Sequence, residues 1–316
     1  MRVVSYNVRY FGHGTRGVAS TEGGMRRIAA AVARLDPLPD VLMLQEIETR
    51  SLRSNALHWG RGAPQIETFS SVLAAELALK RTTLDAYAPH YFPAHVYGLK
   101  ASPVYTTGLA ILVRKSLPVL HAKAEDITQR EGYWFPSLKQ TRLCAHVRVA
   151  HPKLGEIDLF NTHLSLPQAF SRQFWRRGDK MGHGENQLAE IEALLAFVRA
   201  HRGGGGLVLA GDFNAAPGSP VIQRVSDEGL RHALTDLHGL DEAGLKAFPT
   251  AGFMHLRMHI DHAFTSPELV FHELHETFPF GKREGHFWGL SDHMPLVGSV
   301  TRKEAATEPQ GARAEG

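Results

Sequence analysis

A single cysteine, Cys144, stands among 316 residues. A lone thiol closes no internal disulfide and builds no multi-cysteine zinc finger, so the fold cannot depend on either staple. Long hydrophobic runs are missing too: none approaches the roughly 18 residues of a transmembrane helix, so stable membrane insertion is not expected. Charge of one sign is scarce. The 35 Lys and Arg nearly balance 32 Asp and Glu, and a net charge of +3 is too small to hold nucleic acid by bulk charge. Hydrophobic residues at 43% and charged residues at 21% exclude a disordered chain. No secretory leader is visible, because Arg2 precedes only Val3–Val4 before polar residues begin, and a cytoplasmic protein is expected. What is abundant is histidine, with 19 residues. Such an excess fits metal or acid–base chemistry, and equally fits solvated surfaces.

The pattern of apolar residues divides the chain into strands and helices. Residues 2–8, 41–45, 108–113, 142–149, 156–164 and 207–211 read as strands, with further strands near 259–265, 269–274 and 295–301. Met25, Ile28, Ala29, Val32 and Leu35 recur at helical spacing, and Asp36-Pro37 ends that helix. A helix over 68–80 has Thr68 as its N-cap, and Leu188, Ile191, Leu194, Leu195 and Val198 mark another over 186–201. One more follows Pro220. Gly203 to Gly206 read as a flexible connector, Cys144 as a buried inert thiol, and the segment from Arg302 as a disordered tail. No interior linker divides the chain, so one large α/β or α+β domain is expected over residues 1–301, with 302–316 as the tail.

Several of these apolar strands run straight into polar clusters. They end or begin at Asn7 and Arg9, Gln45-Glu46, Asn161-Thr162-His163, Gly211-Asp212-Phe213-Asn214, Asp261-His262 and Ser291-Asp292-His293. A buried carboxylate costs several kcal/mol unless it is paired or bound to a cation. Any one of these could cap a turn by itself. Glu46, Asp212, Asp261 and Asp292 in the same relative place ask for a common partner, and a hard divalent cation, Mg²⁺ or Mn²⁺, takes such oxygens.

The ordered motifs N-x-R-x-F-G (Asn7 to Gly12), L-Q-E (Leu44 to Glu46), N-T-H-L (Asn161 to Leu164), G-D-F-N-A-x-P (Gly211 to Pro217), I-D-H (Ile260 to His262) and S-D-H-x-P-L (Ser291 to Leu296) resemble the endonuclease/exonuclease/phosphatase superfamily. The likeness runs from residue 2 to about residue 300. It implies a four-layer α/β/β/α sandwich, with two central, mostly antiparallel sheets and outer helices. The implied activity is metal-dependent hydrolysis of a phosphate ester. On that mapping Glu46 is the principal metal ligand, with Asn7 and Asp292 beside it. Asp212 and Asn214 orient water or phosphate, His293 works with Asp261 as an acid–base pair, and His163 is a second imidazole for a phosphate oxygen or the leaving group. Arg142 resembles a phosphate-binding arginine, and Tyr105 and Arg9 are further substrate contacts.

The histidine of N-T-H-L resembles the deoxyribonuclease I-like, neutral sphingomyelinase-like and deadenylase-like branches, and speaks against an abasic-site repair enzyme. Two departures bear on duplex DNA. Glu48 stands where the deoxyribonuclease I-like group carries a DNA-contacting arginine, and its charge would repel a phosphate there. Thr107 stands where that group pairs a glutamate with its first histidine. The segment 165–186 interleaves Phe170, Phe174 and Trp175 with Arg172, Arg176, Arg177 and Lys180. Such a loop suits bases and phosphates, with Trp175 and Arg176 as substrate contacts, and suits a lipid headgroup equally. Tyr133, Trp134 and Phe135 raise the same pair of readings. A nuclease monomer acting on nucleic acid is the leading expectation. A sphingomyelinase-like phosphodiesterase, a phosphomonoesterase and a non-catalytic binding protein are the alternatives. His255, His259 and His262 have a zinc-like spacing, but neighbours along a strand face opposite ways, so no zinc site is expected there.

Overall fold

The computed structural model describes residues 1–15, 21–48, 65–79, 87–99, 102–128, 141–167, 181–253, 256–275 and 285–303; at 95–99 and 102–107 it describes the strand path alone. The first sheet holds β1 (Arg2–Asn7), β2 (Val41–Ile47), β3 (Tyr87–Leu99), β4 (Ser102–Arg114), β13 (Leu269–His275) and β14 (Leu296–Arg302), in the order β13-β14-β1-β2-β4-β3. The second holds β5 (Val119–Asp126), β6 (Leu143–His151), β7 (Gly155–His163), β8 (Gly206–Asp212), β9 (Arg231–His232) and β12 (Asp261–Thr265), in the order β5-β6-β7-β8-β12-β9. β10 (Ala251–Phe253) and β11 (Leu256–Met258) form a separate ribbon.

Each large sheet is antiparallel except for one central parallel pair, β1 with β2 and β7 with β8. This arrangement has a consequence for chemistry. Parallel neighbours end on the same side, so the C-terminal residues of β1 and β2 lie together, as do those of β7 and β8. β12 runs antiparallel to β8 with Asp261 opposite Asp212. β14 runs antiparallel to β1, so its approach segment, which carries His293, arrives at that same edge.

Alternation along the strands sorts side chains into layers. Val3, Val41, Met43 and Ile111 of the first sheet meet Ala145, Val147, Leu159 and Val208 of the second in an inter-sheet core. Val4, Leu42 and Leu44 turn the other way, onto α1 (Glu22–Val32) and α2 (Gln65–Leu79). Phe160, Leu207 and Leu209 pack under α3 (Glu185–His201) and α4 (Pro220–Asp227). The result is the expected four-layer sandwich. Strands covered on both faces lose polar alternation, which is why residues 41–44 read as a continuous apolar run. Two short helices, α5 (Ala233–His238) and α6 (Glu242–Lys246), complete the order.

Several expectations need correction. Thr68 is not an N-cap but the fourth residue of α2. Gly203 to Gly206 is a tightly packed turn and not a loose connector. A Cβ on Gly205 would lie 2.0 Å from the Glu156 carbonyl oxygen, and the Gly203 N–H donates to Asp158 at 2.6 Å. Arg302 closes β14 and bonds the Leu154 carbonyl, and the Lys303 N–H donates to Glu268. The tail reading therefore fails for those two residues, and 304–316 lie outside the described residues. So do 130–137, most of 165–186 with Trp175 and Arg176, and His255. No helix among the described residues is long and apolar enough to cross a membrane. Cys144 is fully buried, and burial pushes its thiol pKa up, as an inert thiol requires.

Candidate active site

Glu46 owes its position to a defect in β2. The pairing with β4 runs Leu44 to Ala110 and then Ile47 to Gly108, so Gln45 and Glu46 form a bulge. Glu46 takes the left-handed backbone conformation, at φ 58°. A bulge re-aims a side chain that regular alternation would send elsewhere. Here it lets consecutive polar residues serve different partners. Gln45 is fully buried and donates to Asn161 Oδ1 at 2.7 Å. Glu46 reaches Asn7 and His163.

Asn7, the last residue of β1, joins the carboxylates. Its Nδ2 donates to Glu46 Oε1 at 3.2 Å and to Asp212 Oδ2 at 3.0 Å, and its Oδ1 accepts from the Arg9 N–H. Asp212 ends β8, and its second oxygen accepts from the Asn214 N–H at 2.9 Å. The backbone before it needs Gly211: φ is 152°, and a Cβ there would sit 2.1 Å from the Thr162 carbonyl oxygen. His163, at the end of β7, places Nε2 3.5 Å from Asp212 Oδ2 and 3.9 Å from Glu46 Oε1.

On the other side of Asp212, His293 brings its Nε2 to 3.8 Å from the same oxygen. Its Nδ1 donates to Asp261 at 2.9 Å. Asp261 is itself held by Thr250, whose hydroxyl donates to it at 2.8 Å and accepts from the Ile260 and Asp261 N–H groups. Asp212, Asp261 and His293 bring one donor atom each within 4.8 Å of one another. Asp292 forms an ion pair with Arg9 at 2.8 Å. Thus Glu46, Asn7, His163, Asp212, Asp261, Asp292, His293 and Arg9 all gather at one mouth.

Burial dominates the electrostatics. It raises the Glu46 pKa, opposed by His293 and by the Asn7 hydrogen bond. Burial also raises that of Asp212. It holds His163 well below the usual imidazole range, helped by Arg142 and His293, so this ring is neutral. Burial would lower His293 as well, but Asp261, Asp212 and Asp292 outweigh it and keep that ring cationic. Two imidazoles that flank one oxygen of Asp212 are therefore held in opposite protonation states. The Glu46 charge is poorly compensated by protein groups, and its carboxylate, beside the carboxamide of Asn7 and the carboxylate of Asp292, is a donor set that fits a hard divalent cation.

Arg142 precedes β6 and lines a recess with Gly108, Leu109, Leu143 and His163. Its Nε donates to Ser165, whose hydroxyl donates to the buried Glu190. Asn214 turns its Nδ2 to the Leu164 carbonyl at 2.9 Å, tying together the segments after β7 and β8. Tyr105 and Thr107 belong to β4, and their side chains lie outside the described residues. Glu48 is fully buried, with its N–H donating to Gln65, so its side chain is not on the surface that a phosphate would meet, and the expected contact with one is corrected. Asn161 is likewise no part of the mouth. The sequence offered no sign of Thr250 or Glu190, whose partners Asp261 and Ser165 stand 11 and 25 positions away, or of Gln187, whose Nε2 donates to the Ser165 and Asn214 carbonyls. Ser291 stood inside S-D-H, and its hydroxyl donates to the Asn7 carbonyl at 2.8 Å.

The sequence pattern of the Endonuclease/Exonuclease/phosphatase family matches residues 4–293. The chain belongs to the endonuclease/exonuclease/phosphatase family. Hydrolysis of phosphoester bonds is the work of this family, commonly with divalent metals. A comparison with curated protein sequences finds no match. Among solved structures, an endonuclease/exonuclease/phosphatase from Beutenbergia cavernae DSM 12333 aligns at a TM-score of 0.65 and 21% identity, over 96% of this chain and 71% of that one. The human Nocturnin catalytic domain with bound sulfate anion aligns at 0.59 and 17%, over 96% and 93%. ANGEL2, a 2',3'-cyclic phosphatase, aligns at 0.60 and 16%, over 95% and 94%. At these identities the likeness is one of fold.

Proposed function

We propose that this family member is a divalent-metal-dependent phosphodiesterase acting on nucleic acid. The observation that carries the reading is the pair of imidazoles, His163 and His293, flanking one oxygen of Asp212 at 3.5 and 3.8 Å beside Glu46. Phosphate-ester hydrolysis needs an activated water, a neutralised phosphate and a proton for the leaving oxygen. Glu46, with Asn7 and Asp292, would hold Mg²⁺ or Mn²⁺. When bound, such a cation neutralises charge on the non-bridging phosphate oxygens. Neutral His163 accepts a proton from the attacking water, and Asp212 and Asn214 orient that water. Cationic His293 donates to the leaving oxygen, and Asp261 keeps its Nε2 turned to the mouth. Arg142 and Arg9 supply positive charge for the phosphate.

The interleaved aromatics and cations of 165–186, Trp175 and Arg176 among them, suit stacking on bases and contacts to phosphates, and the substrate panel separates this from the lipid headgroup they suit equally. The sulfate on the Nocturnin catalytic domain supports an oxyanion site on this fold. The test is a panel of plasmid DNA, single-stranded oligonucleotide, RNA, sphingomyelin and inositol phosphates, with Mg²⁺, Mn²⁺ or chelator. Nucleic-acid cleavage should vanish with chelator and fall about 10²–10³-fold in Glu46→Gln. Turnover confined to sphingomyelin, or release of free phosphate alone, would replace the nuclease reading. Full activity of Glu46→Gln would overturn the metal assignment.

A further inference from the structure

Three histidines converge beside Asp261, and none of them is among the residues gathered at the mouth. His232 forms the end of β9, His259 lies just before β12, and His262 is its second residue. Each offers one ring nitrogen, and these nitrogens lie within 4.8 Å of one another. The expectation that strand alternation would keep His259 and His262 apart does not hold, because β12 begins only at Asp261 and His259 belongs to the short connector between β11 and β12. The third member, 27 positions before His259 in the numbering, comes from a neighbouring strand that pairs with β12 at Phe264 and His232.

Hydrogen bonds prepare two of the three rings for a cation, while the far nitrogen of the third, His232 Nδ1, has no hydrogen-bond partner among the described residues. His259 Nδ1 donates to the Phe248 carbonyl at 2.6 Å, which leaves Nε2 with its lone pair. That nitrogen is buried and has no hydrogen-bond partner among the described residues. His262 Nε2 donates to the Ala215 carbonyl at 2.8 Å, which leaves Nδ1 with its lone pair, 3.0 Å from His232 Nε2. Metal-bound histidines almost always donate the far ring N–H to a carbonyl or carboxylate in this way. His259 is 3% and His262 0% exposed, and burial keeps all three rings neutral, the form that coordinates. Phe213 and Phe264 pack around His262 at ring separations of 5.6 and 5.9 Å and shield it. A plain N–H···N bond between His232 and His262 would satisfy those two nitrogens but would leave His259 Nε2 orphaned in the interior.

We propose that His232, His259 and His262 form a second metal site, for a borderline divalent transition ion of the Zn²⁺ type. An all-imidazole set selects such an ion over Mg²⁺, which takes oxygens. Zinc–nitrogen bonds of about 2.0–2.1 Å put tetrahedral ligand atoms about 3.3 Å apart. The His232–His262 pair opens slightly to reach that spacing, and the third ring closes by an ångström or so. Bound there, the ion ties β9 and the start of β12 to the loop that carries Asn214 and Ala215. It braces the framework through the two histidines that flank Asp261 in the chain, and none of its three ligands belongs to the reacting set.

The test uses the full chain, stripped with chelator and held in excess Mg²⁺ to fill the oxygen-donor mouth. Zn²⁺ is then titrated with thermal unfolding as readout, and Co²⁺ with visible absorption. Expected are one Zn²⁺ per chain, a rise of several degrees in Tm, and the intense ligand-field bands of tetrahedral Co²⁺. His232→Ala and the volume-conserving His259→Gln should each remove these signals while their Mg²⁺-state circular dichroism stays native. Glu46→Gln should keep them, which separates this site from the mouth. No Zn²⁺ retained above the Mg²⁺ background by the native chain, or Zn²⁺ and Co²⁺ responses that persist in His232→Ala, would overturn the proposal. If either histidine variant fails to fold, the native chain's stoichiometry and Co²⁺ spectrum decide by themselves.

Discussion

The contrast between His163 and His293 comes from their neighbours. Both are buried, and burial alone lowers both pKa values. His293 has three carboxylates around it, and Asp261 is the strongest of the opposing influences. His163 also has Asp212 at 3.5 Å and Glu46 at 3.9 Å, but burial raises the pKa of both acids, and Arg142 and His293 add to the lowering that burial imposes on the ring. This makes a directional prediction for Asp261→Asn. Losing that charge lowers the His293 pKa, so the cationic acid disappears at lower pH. The alkaline limb of the kcat profile should therefore move to lower pH, and kcat near neutrality should fall by about 10²-fold or more, the scale of a lost general acid. A pH–rate profile on a cleaved oligonucleotide measures both. An unmoved alkaline limb would remove His293 from the acid role. Thr250→Val should shift the limb in the same direction by less, because it loosens Asp261 without removing its charge.

At the scale of elements, the strands that carry the mouth differ from ordinary strands at their ends. β2 ends in a bulge, and β8 has a glycine, Gly211, just before its last residue, pressed against β7. Gly211→Ala puts a Cβ 2.1 Å from the Thr162 carbonyl oxygen at a φ of 152°. The two strands must then separate beside both His163 and Asp212. The variant should lose about 3 kcal/mol of stability in urea unfolding, from overpacking and backbone strain together. Its kcat should fall further than the folded fraction explains. A loss within about 0.5 kcal/mol would mean that β7 and β8 tolerate the spacing, and the close approach would not be needed. These ends also show what could be read without coordinates. Apolar runs that stop at Gln45-Glu46, Asn161-Thr162-His163 and Gly211-Asp212 marked the strands and most of the mouth. β3 and β5 were not visible, because β3 carries two prolines and β5 is largely exposed, so neither shows an apolar period. The bulge left no mark either, since a single extra residue changes no composition. The burial of Glu48 left no mark for another reason: its backbone N–H bonds Gln65 of α2, 17 positions on, and no spacing rule connects the two.

At the scale of the whole molecule, the mouth exists only where the two sheets are held in one alignment. Asn7 and Glu46 come from the first sheet, and His163, Asp212 and Asp261 from the second. The inter-sheet core is apolar and non-directional, so apolar packing alone leaves some freedom to slide. Asn161 removes that freedom. From β7 it donates to the Leu44 and Ala110 carbonyls at 3.1 and 3.2 Å, and it accepts from Gln45 at 2.7 Å. All of these groups are buried, and Gln45 is the residue next to Glu46 while Asn161 stands two before His163. Read from the chain alone, Gln45 and Asn161 looked like further members of the polar mouth. Their separation in sequence hid the fact that they face each other across the sandwich. Asn161→Ala should cost about 3 kcal/mol, because three buried polar partners lose their bonds at once. It should also lower kcat in the protein that remains folded, since the sheets then lose the register that sets the Glu46-to-His163 distance. A double-mutant cycle with Gln45→Ala separates the clamp from simple cavity formation. Partners in one buried network should couple by about 1–2 kcal/mol in stability, whereas independent cavities add. Additivity within about 0.3 kcal/mol, with kcat unchanged in Asn161→Ala, would mean that apolar packing aligns the sheets without help.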